Sequence, residues 1–350
     1  MKILHSFPEK ESKFLTHFNA LFQISSIENK VVKSLKSGYV KEKYDLVIVH
    51  NLRPKDAKFI AQGKIQEKII WFSWGTDIYK LPNINASSIL PLTNKKYLSI
   101  DRCNVKKLAD LIFGKKAKHI RKYTTYRHYK KAILKIDTMI PVIKSEYILI
   151  RDSYNSKLKY FDLNYPVIED NYSDNYEKKI FAIVGNSAAI WNNHFDLFER
   201  LSSNPSIKQG KVYLPLSYGA TERWISFIKS EANELFGDAV VFIDQLMSKV
   251  EYDKLILQSE VMIMYHIRQS AMGNILMALD NSVHVYLNEE NPIYEYLITK
   301  GFVLSTVSRN TRFVPLDPAQ SKHNRVLVRK IYGLRSLQVK LDRLIQTMHE

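Results

Sequence analysis

Short, uniformly apolar runs of strand length recur along this chain, with helical stretches between them, and that alternation restricts the fold more than any other feature. Lys2–Phe7, Asp45–His50 (DLVIVH), Lys68–Trp74 (KIIWFSW) and Thr138–Ile143 (TMIPVI) form a first series. Lys179–Val184, Lys211–Leu216, Ala239–Ile243, Val261–Ile267 and Val283–Leu287 form a second. Runs rich in Val and Ile, without polar alternation, suit strands covered on both faces, which is the habit of parallel sheets. The segments Lys13–Phe22, Glu251–Ser259, Gln269–Asp280 and Pro292–Thr299 read as helices able to serve as crossovers. A polar stretch rich in Tyr and Asn, 156–178, separates the two series and reads as a linker. The pattern predicts an α/β protein of two Rossmann-like domains, 1–155 and 179–325, closed by an amphipathic helix over 326–350. Two such sheets in tandem predict a ligand cleft beyond the carboxyl ends of their strands. Chemistry-bearing residues should therefore follow strands.

Several do. Gly185-Asn186-Ser187 follows a strand, and its backbone amides suit a phosphate or sugar, although small residues also build plain strand–helix turns. Arg268-Gln269-Ser270, with Gly273 and Asn274 behind them, follows the strand VMIMYHI and leads into a helix. A fixed cation beside a helix N-terminus suits a diphosphate, and the plainer alternative is a surface arginine beside a capped helix. Asn288-Glu289-Glu290-Asn291-Pro292 follows the next strand, where Glu289 and Asn291 either meet ribose or sugar hydroxyls or compensate a helix dipole. In the first series, Trp71–Tyr79 (WFSWGTDIY) ends a strand in a glycine and a carboxylate among aromatics. Asp77 there is a candidate general base or a helix N-cap. His50, at the end of DLVIVH, is a candidate base or a structural histidine.

Charge narrows the partners. Lys plus Arg outnumber Asp plus Glu by 52 to 35, a net charge of +17, which favours a polyanion: nucleic acid, an anionic membrane face or phosphorylated substrates. The excess is concentrated in 115–135 (KKAKHIRKYTTYRHYKKAILK), which holds nine Lys or Arg and no acid, interleaved with Tyr123, Tyr126, His128 and Tyr129 and with Ile120, Ile133 and Leu134. Such a tract suits the anionic leaflet of a membrane, with the rings at the interface. The same residue types also suit single strands or a solvated face, but no nucleic-acid module accompanies them. The single Cys103 rules out an internal disulfide and a Cys-based zinc site. With no signal-peptide core and no run of 18 apolar residues, the expectation is a cytoplasmic protein that sits on a membrane surface. No GxxxxGK[ST], GxSxG or HExxH occurs, and no Asp-x-Asp triplet is present to hold a divalent metal, so no metal or other cofactor is expected.

Taken in order, these segments resemble glycosyltransferase family 56, which contains the TDP-4-acetamido-4,6-dideoxygalactose (Fuc4NAc) transferases of enterobacterial common antigen synthesis. The resemblance is carried by Trp71–Tyr79, Val184–Ser187, Leu214-Pro215-Leu216-Ser217-Tyr218, Arg268–Gly273 and Asn288–Pro292, with His50 and the pair Asn193-His194 in support. The chain departs from the family pattern at Ser270-Ala271-Met272-Gly273, which keeps one of two glycines, and at Ser217, which stands for a glycine. The resemblance implies a GT-B fold and metal-independent, inverting transfer from a TDP-sugar to a polyprenyl-diphosphate-linked saccharide at the cytoplasmic face of the inner membrane. It also implies roles. Gly185, Asn186, Ser187, Tyr218, Arg268, Gln269, Ser270, Gly273, Asn274, Glu289 and Asn291 would hold the donor, while Asp77 would take the acceptor proton with His50 as the alternative base. Two rivals share some of these features: a nucleotide-sugar epimerase of the same architecture and a basic nucleic-acid-binding protein.

Overall fold

The computed structural model describes residues 1–8, 27–39, 42–81, 84, 88–101, 126–163, 176–208 and 210–349. The chain divides into two compact units, one from 1–86, 106–167 and 332–350, the other from 87–105 and 168–331.

The first unit is built on a parallel sheet of β1 (Lys2–Ser6), β2 (Glu28–Val32), β3 (Leu46–His50), β4 (Lys68–Phe72), β5 (Thr138–Ile140) and β6 (Lys159–Tyr160), in the order β2-β1-β3-β4-β5-β6. Residue parity explains why its strands read as continuous apolar runs. Leu4, Val47, Val49, Trp71 and Met139 fill one face; Ile3, Leu46, Ile48, Ile70, Phe72 and Ile140 fill the other. A strand covered on both sides has no face left to show water. The second face is completed by Leu337, Leu341 and Leu344, which share one stripe of the helix Leu334–His349. Two strands escape an apolar pattern search. β2 (ENKVV) is a partly exposed edge strand whose first three residues are polar, and β6 pairs through only two residues within the segment expected to be linker. The helix expected at Lys13–Phe22 lies outside the described residues.

The second unit carries β7 (Ile180–Val184), β8 (Val212–Pro215), β9 (Val240–Ile243), β10 (Ser259–Met264), β11 (His284–Leu287) and β12 (Ser305–Thr306), all parallel, in the order β12-β11-β10-β7-β8-β9. The order reverses between β7 and β10. Connections leave that point in opposite directions, which opens a crevice at the carboxyl ends of the two strands. This unit also contains the helix Pro91–Asp101, whose sequence lies within the expected N-terminal domain. The reason is local: the amides of Leu92 and Thr93 donate to the Asp196 carboxylate at 3.0 and 2.7 Å, and Leu90 N donates to Asn193 Oδ1 at 2.9 Å. First-turn amides have no partner within their own helix, so a carboxylate from another element fixes where that helix ends up.

Three expectations change. The closing helix is two helices, Pro318–Tyr332 and Leu334–His349, parted at Gly333. The first is tied to the second unit, where Arg329 Nε donates to Asp280 at 3.1 Å and Asn324 Nδ2 donates to Val303 O at 2.7 Å. Secondly, the helix expected from Gln269 begins at Met272, leaving Gln269–Ala271 as a turn. Lastly, the basic tract is described only from residue 126, as a helix over 126–133. There Tyr129, Ala132 and Ile133 face the core, and Tyr129 donates to Leu52 O at 3.2 Å, so Tyr129 and Ile133 are withdrawn from any lipid-facing role. Leu134 stays exposed beside Lys130, Lys131 and Lys135. Among the described residues, no helix is long and apolar enough to cross a membrane.

Candidate functional site

β7 ends in Val184, and the chain turns at once on Gly185, whose φ of +69° suits glycine. Space demands glycine as well: a Cβ here would lie 3.1 Å from both Asn192 Oδ1 and His194 Nε2. Gly185 N donates back to Ile263 O of β10 at 2.8 Å, which holds the turn against the crevice. Asn192 anchors the rest. Its Oδ1 accepts from Asn186 N at 3.1 Å, and its Nδ2 donates to Ser187 Oγ at 3.0 Å and Ala189 O at 3.3 Å. Asn193 takes a left-handed φ of +53° and donates to Tyr265 O at 3.2 Å. Behind the turn, His194 and His266 are buried, and each imidazole is held down to a pKa of about 3. Burial is the chief cause for both; for His266 the Arg268 charge adds to it. Both rings are therefore neutral at physiological pH.

The loop after β10 lies across the crevice from this turn. Arg268 is buried, and its Cζ sits 4.2 Å from the centre of the Trp191 ring. Cation–π attraction to the indole face holds the guanidinium at this position. Gln269 is likewise buried. Ala271 has φ +58°, a left-handed conformation that costs a residue with a Cβ about 1 kcal/mol. It then starts the helix Met272–Asp280 with no side-chain cap, so the first-turn amides, those of Gly273 and Asn274 among them, receive no protein oxygen from the cap position. A cation beside a helix start without a side-chain cap is an arrangement whose chemistry suits an anion.

The flanking expectations divide. Tyr218 is half-exposed and joins the turn: Asn186 Nδ2 donates to its hydroxyl at 3.4 Å. Asn274 Nδ2 similarly donates to the hydroxyl of the partly buried Tyr252 at 3.4 Å. Asn291 is buried as the N-cap of Pro292–Thr299, accepting from Ile293 N at 2.9 Å, so its oxygen has a structural task. Glu289 and Glu290 are exposed in the turn before it. Trp191, Asn192, His266 and Tyr252 went unnoticed in the sequence. The run Trp191-Asn192-Asn193-His194 shortly after a glycine turn was a usable signal, and His266 follows its strand much as His50 ends β3.

In the first unit, His50 and Asp77 lie at the carboxyl ends of β3 and β4. Asp77 is buried and accepts from Leu52 N at 2.8 Å, Trp71 Nε1 at 2.7 Å and Trp74 N at 3.1 Å. Burial raises its pKa, and these donors pull against that rise. The carboxylate caps no helix; it stitches the ends of β3 and β4 together. His50 is buried too, with Nε2 3.3 Å from His5 Nδ1, and His5 Nε2 lies 3.0 Å from Asn29 Oδ1. With the Asn29 oxygen as the acceptor, the His5 proton lies on Nε2, so that His5 Nδ1 accepts and His50 Nε2 donates. Burial, with a smaller contribution from His5, holds the His50 pKa well below the usual imidazole value.

Residues 147–311 match the family model described as 4-alpha-L-fucosyltransferase glycosyl transferase group 56, a segment that contains every donor-site residue above. No curated protein matches the chain in sequence. Solved structures resemble it in fold. The N-terminal domain of trehalose-6-phosphate phosphatase from Candida albicans has a TM-score of 0.59 at 10% identity, covering 99% of this chain and 96% of that one. A glycosyltransferase from Rickettsia africae ESF-5 has a TM-score of 0.56 at 12% identity, covering 98% and 83%. Sucrose-phosphate synthase from Thermosynechococcus elongatus has a TM-score of 0.56 at 13% identity, covering 90% and 76%. Two parallel sheets with helices, set beside these similar folds, give the GT-B architecture.

Proposed function

We propose that this chain, a glycosyltransferase of GT-B architecture whose residues 147–311 match group 56, draws a 4-amino- or 4-acetamido-4,6-dideoxyhexose from a TDP-linked donor. The acceptor is a polyprenyl-diphosphate-linked saccharide of a bacterial surface polysaccharide, an O-antigen or the common antigen, and the reaction inverts the anomeric centre without a metal. The observation that carries the donor half of this reading is Arg268 stacked on Trp191 beside the uncapped start of Met272–Asp280. The acceptor oxygen attacks the anomeric carbon, the bond from that carbon to the diphosphate breaks, and the acceptor proton passes to a base. Charge then accumulates on the leaving diphosphate. Arg268 and the helix amides meet it, with Gln269 and Ser270 in the same loop.

His50 suits the base better than Asp77. The Asn29–His5–His50 chain orients a neutral imidazole, whereas both oxygens of Asp77 already hold three N–H groups together. The basic tract 115–135 is assigned to the anionic inner leaflet, through its lysines and arginines rather than Tyr129 or Ile133, which keeps the enzyme peripheral and beside its lipid acceptor.

Thermal stabilisation by nucleotides tests the donor half, because a ligand that binds only the folded state raises its midpoint. TDP is expected to raise the midpoint more than GDP, with or without EDTA, and Arg268→Ala to abolish the shift. A shift that needs a divalent metal would refute the metal-free cradle. No shift with TDP, UDP or GDP at several millimolar would refute the donor site.

A further inference from the structure

We infer that His266 is a positioning residue of the donor site, acting through Asn186: its Nε2–H turns the Asn186 side chain so that the amide NH2, not the carbonyl oxygen, faces the donor. The inference rests on the donor reading above and adds a residue to which neither the group match nor any motif assigns a role.

The argument is a count of donors and acceptors. His266 Nε2 lies 3.0 Å from Asn186 Oδ1 and 3.0 Å from Asn192 Oδ1. Asn192 has no freedom to flip. Its oxygen already accepts from Asn186 N at 3.1 Å, and its NH2 group donates to Ser187 Oγ and Ala189 O. Exchanging its O and N would set an NH2 against the Asn186 N–H and an oxygen against Ala189 O. With that oxygen fixed, the nitrogen facing it carries the proton, so His266 is the Nε2–H tautomer. The same proton faces Asn186 Oδ1 and draws that oxygen inward. The other end of the amide, Nδ2, then points to the Tyr218 hydroxyl at 3.4 Å, on the half-exposed side of the turn.

That orientation has a chemical consequence. A phosphate or a sugar ring oxygen accepts hydrogen bonds and donates none. An outward NH2 attracts it; an outward carbonyl oxygen repels it. An unconstrained asparagine samples both. His266 holds the productive one before the donor arrives.

The test compares two polar replacements of nearly equal bulk, read by titration of TDP and UDP. The amide NH2 of His266→Gln reaches about as far as the imidazole Nε2, whereas that of His266→Asn stops short. The Gln variant is expected to bind TDP within about twofold of wild type and the Asn variant about tenfold more weakly, the scale of one hydrogen bond to an anionic ligand. A cycle with Asn186→Ala separates positioning from packing, since the penalty of His266→Asn should vanish once the Asn186 amide is gone. Equal affinities for the Gln and Asn variants, or a penalty that persists undiminished in the Asn186→Ala background, would overturn the inference while leaving the donor site standing. Failure of the wild-type chain to bind either nucleotide would overturn both.

Discussion

Gly185→Ala should be the most informative single change in the second unit. Two costs add. A Cβ at φ +69° costs about 1 kcal/mol in backbone strain. The methyl would also lie 3.1 Å from Asn192 Oδ1 and from His194 Nε2, closer than a carbon approaches such atoms without displacement. Asn192 holds four polar groups of the two loops, so moving it weakens hydrogen bonds worth about 1 kcal/mol each. The total is roughly 2–3 kcal/mol, or about 5–10 °C in the melting midpoint of a unit this size. Gly301→Ala, in the same unit, is the control: its φ is +88°, but the added Cβ would meet only Leu327 Cδ1 at 3.7 Å, an ordinary contact. It should lose only the strain of about 1 kcal/mol. Denaturant unfolding of both variants measures the difference, and TDP titration should show weaker binding for Gly185→Ala alone. If the two variants lose equal stability and bind TDP equally, the anchoring role of Asn192 is wrong.

Asp77→Asn sets an NH2 against one of the donors that the carboxylate now accepts from; it should cost about 1.5–3 kcal/mol of stability, whereas His50→Gln should cut kcat with little change in melting, and the reverse pattern in activity and unfolding assays would return the base to Asp77. Acid should unfold the chain early. His194 and His266 have folded pKa values of about 3 against about 6.5 when unfolded, so the unfolded chain binds protons that the fold refuses. Their contribution is complete above pH ~6.5 and is lost as pH falls from there toward 3, at up to about 1.4 kcal/mol per pH unit for each ring. His194→Phe should remove one proton from the slope of denaturation free energy between pH 6.5 and 5; an unchanged slope would show that His194 titrates normally.

Much of this was legible in the chain itself. Apolar runs marked nine of the twelve described strands because both faces of each sheet are covered, and parity along β3 and β4 shows it residue by residue. The three unmarked strands, β2, β6 and β12, are three of the four edge strands, where half-solvated backbone needs no apolar signature. Strand ends also placed Gly185, Arg268 and His50 correctly as residues that follow or end strands. The roles of Asp77 and Asn291 were less visible, because a polar residue at a strand end reads the same whether it meets a substrate or holds neighbouring amides. Only its partners distinguish the two, and for Asp77 these include Leu52, 25 positions away.

The sequence by itself determined the two parallel sheets, the order of motifs and the charge that favours an anionic partner, since these depend on periodicity and composition along the chain. Tertiary structure alone decided that the order reverses between β7 and β10, that Arg268 rests on Trp191, and that Asn192 and His266 join two loops more than 70 residues apart. Those contacts are long-range, and each depends on one side chain's direction and one proton's position, quantities to which hydrophobic spacing is blind.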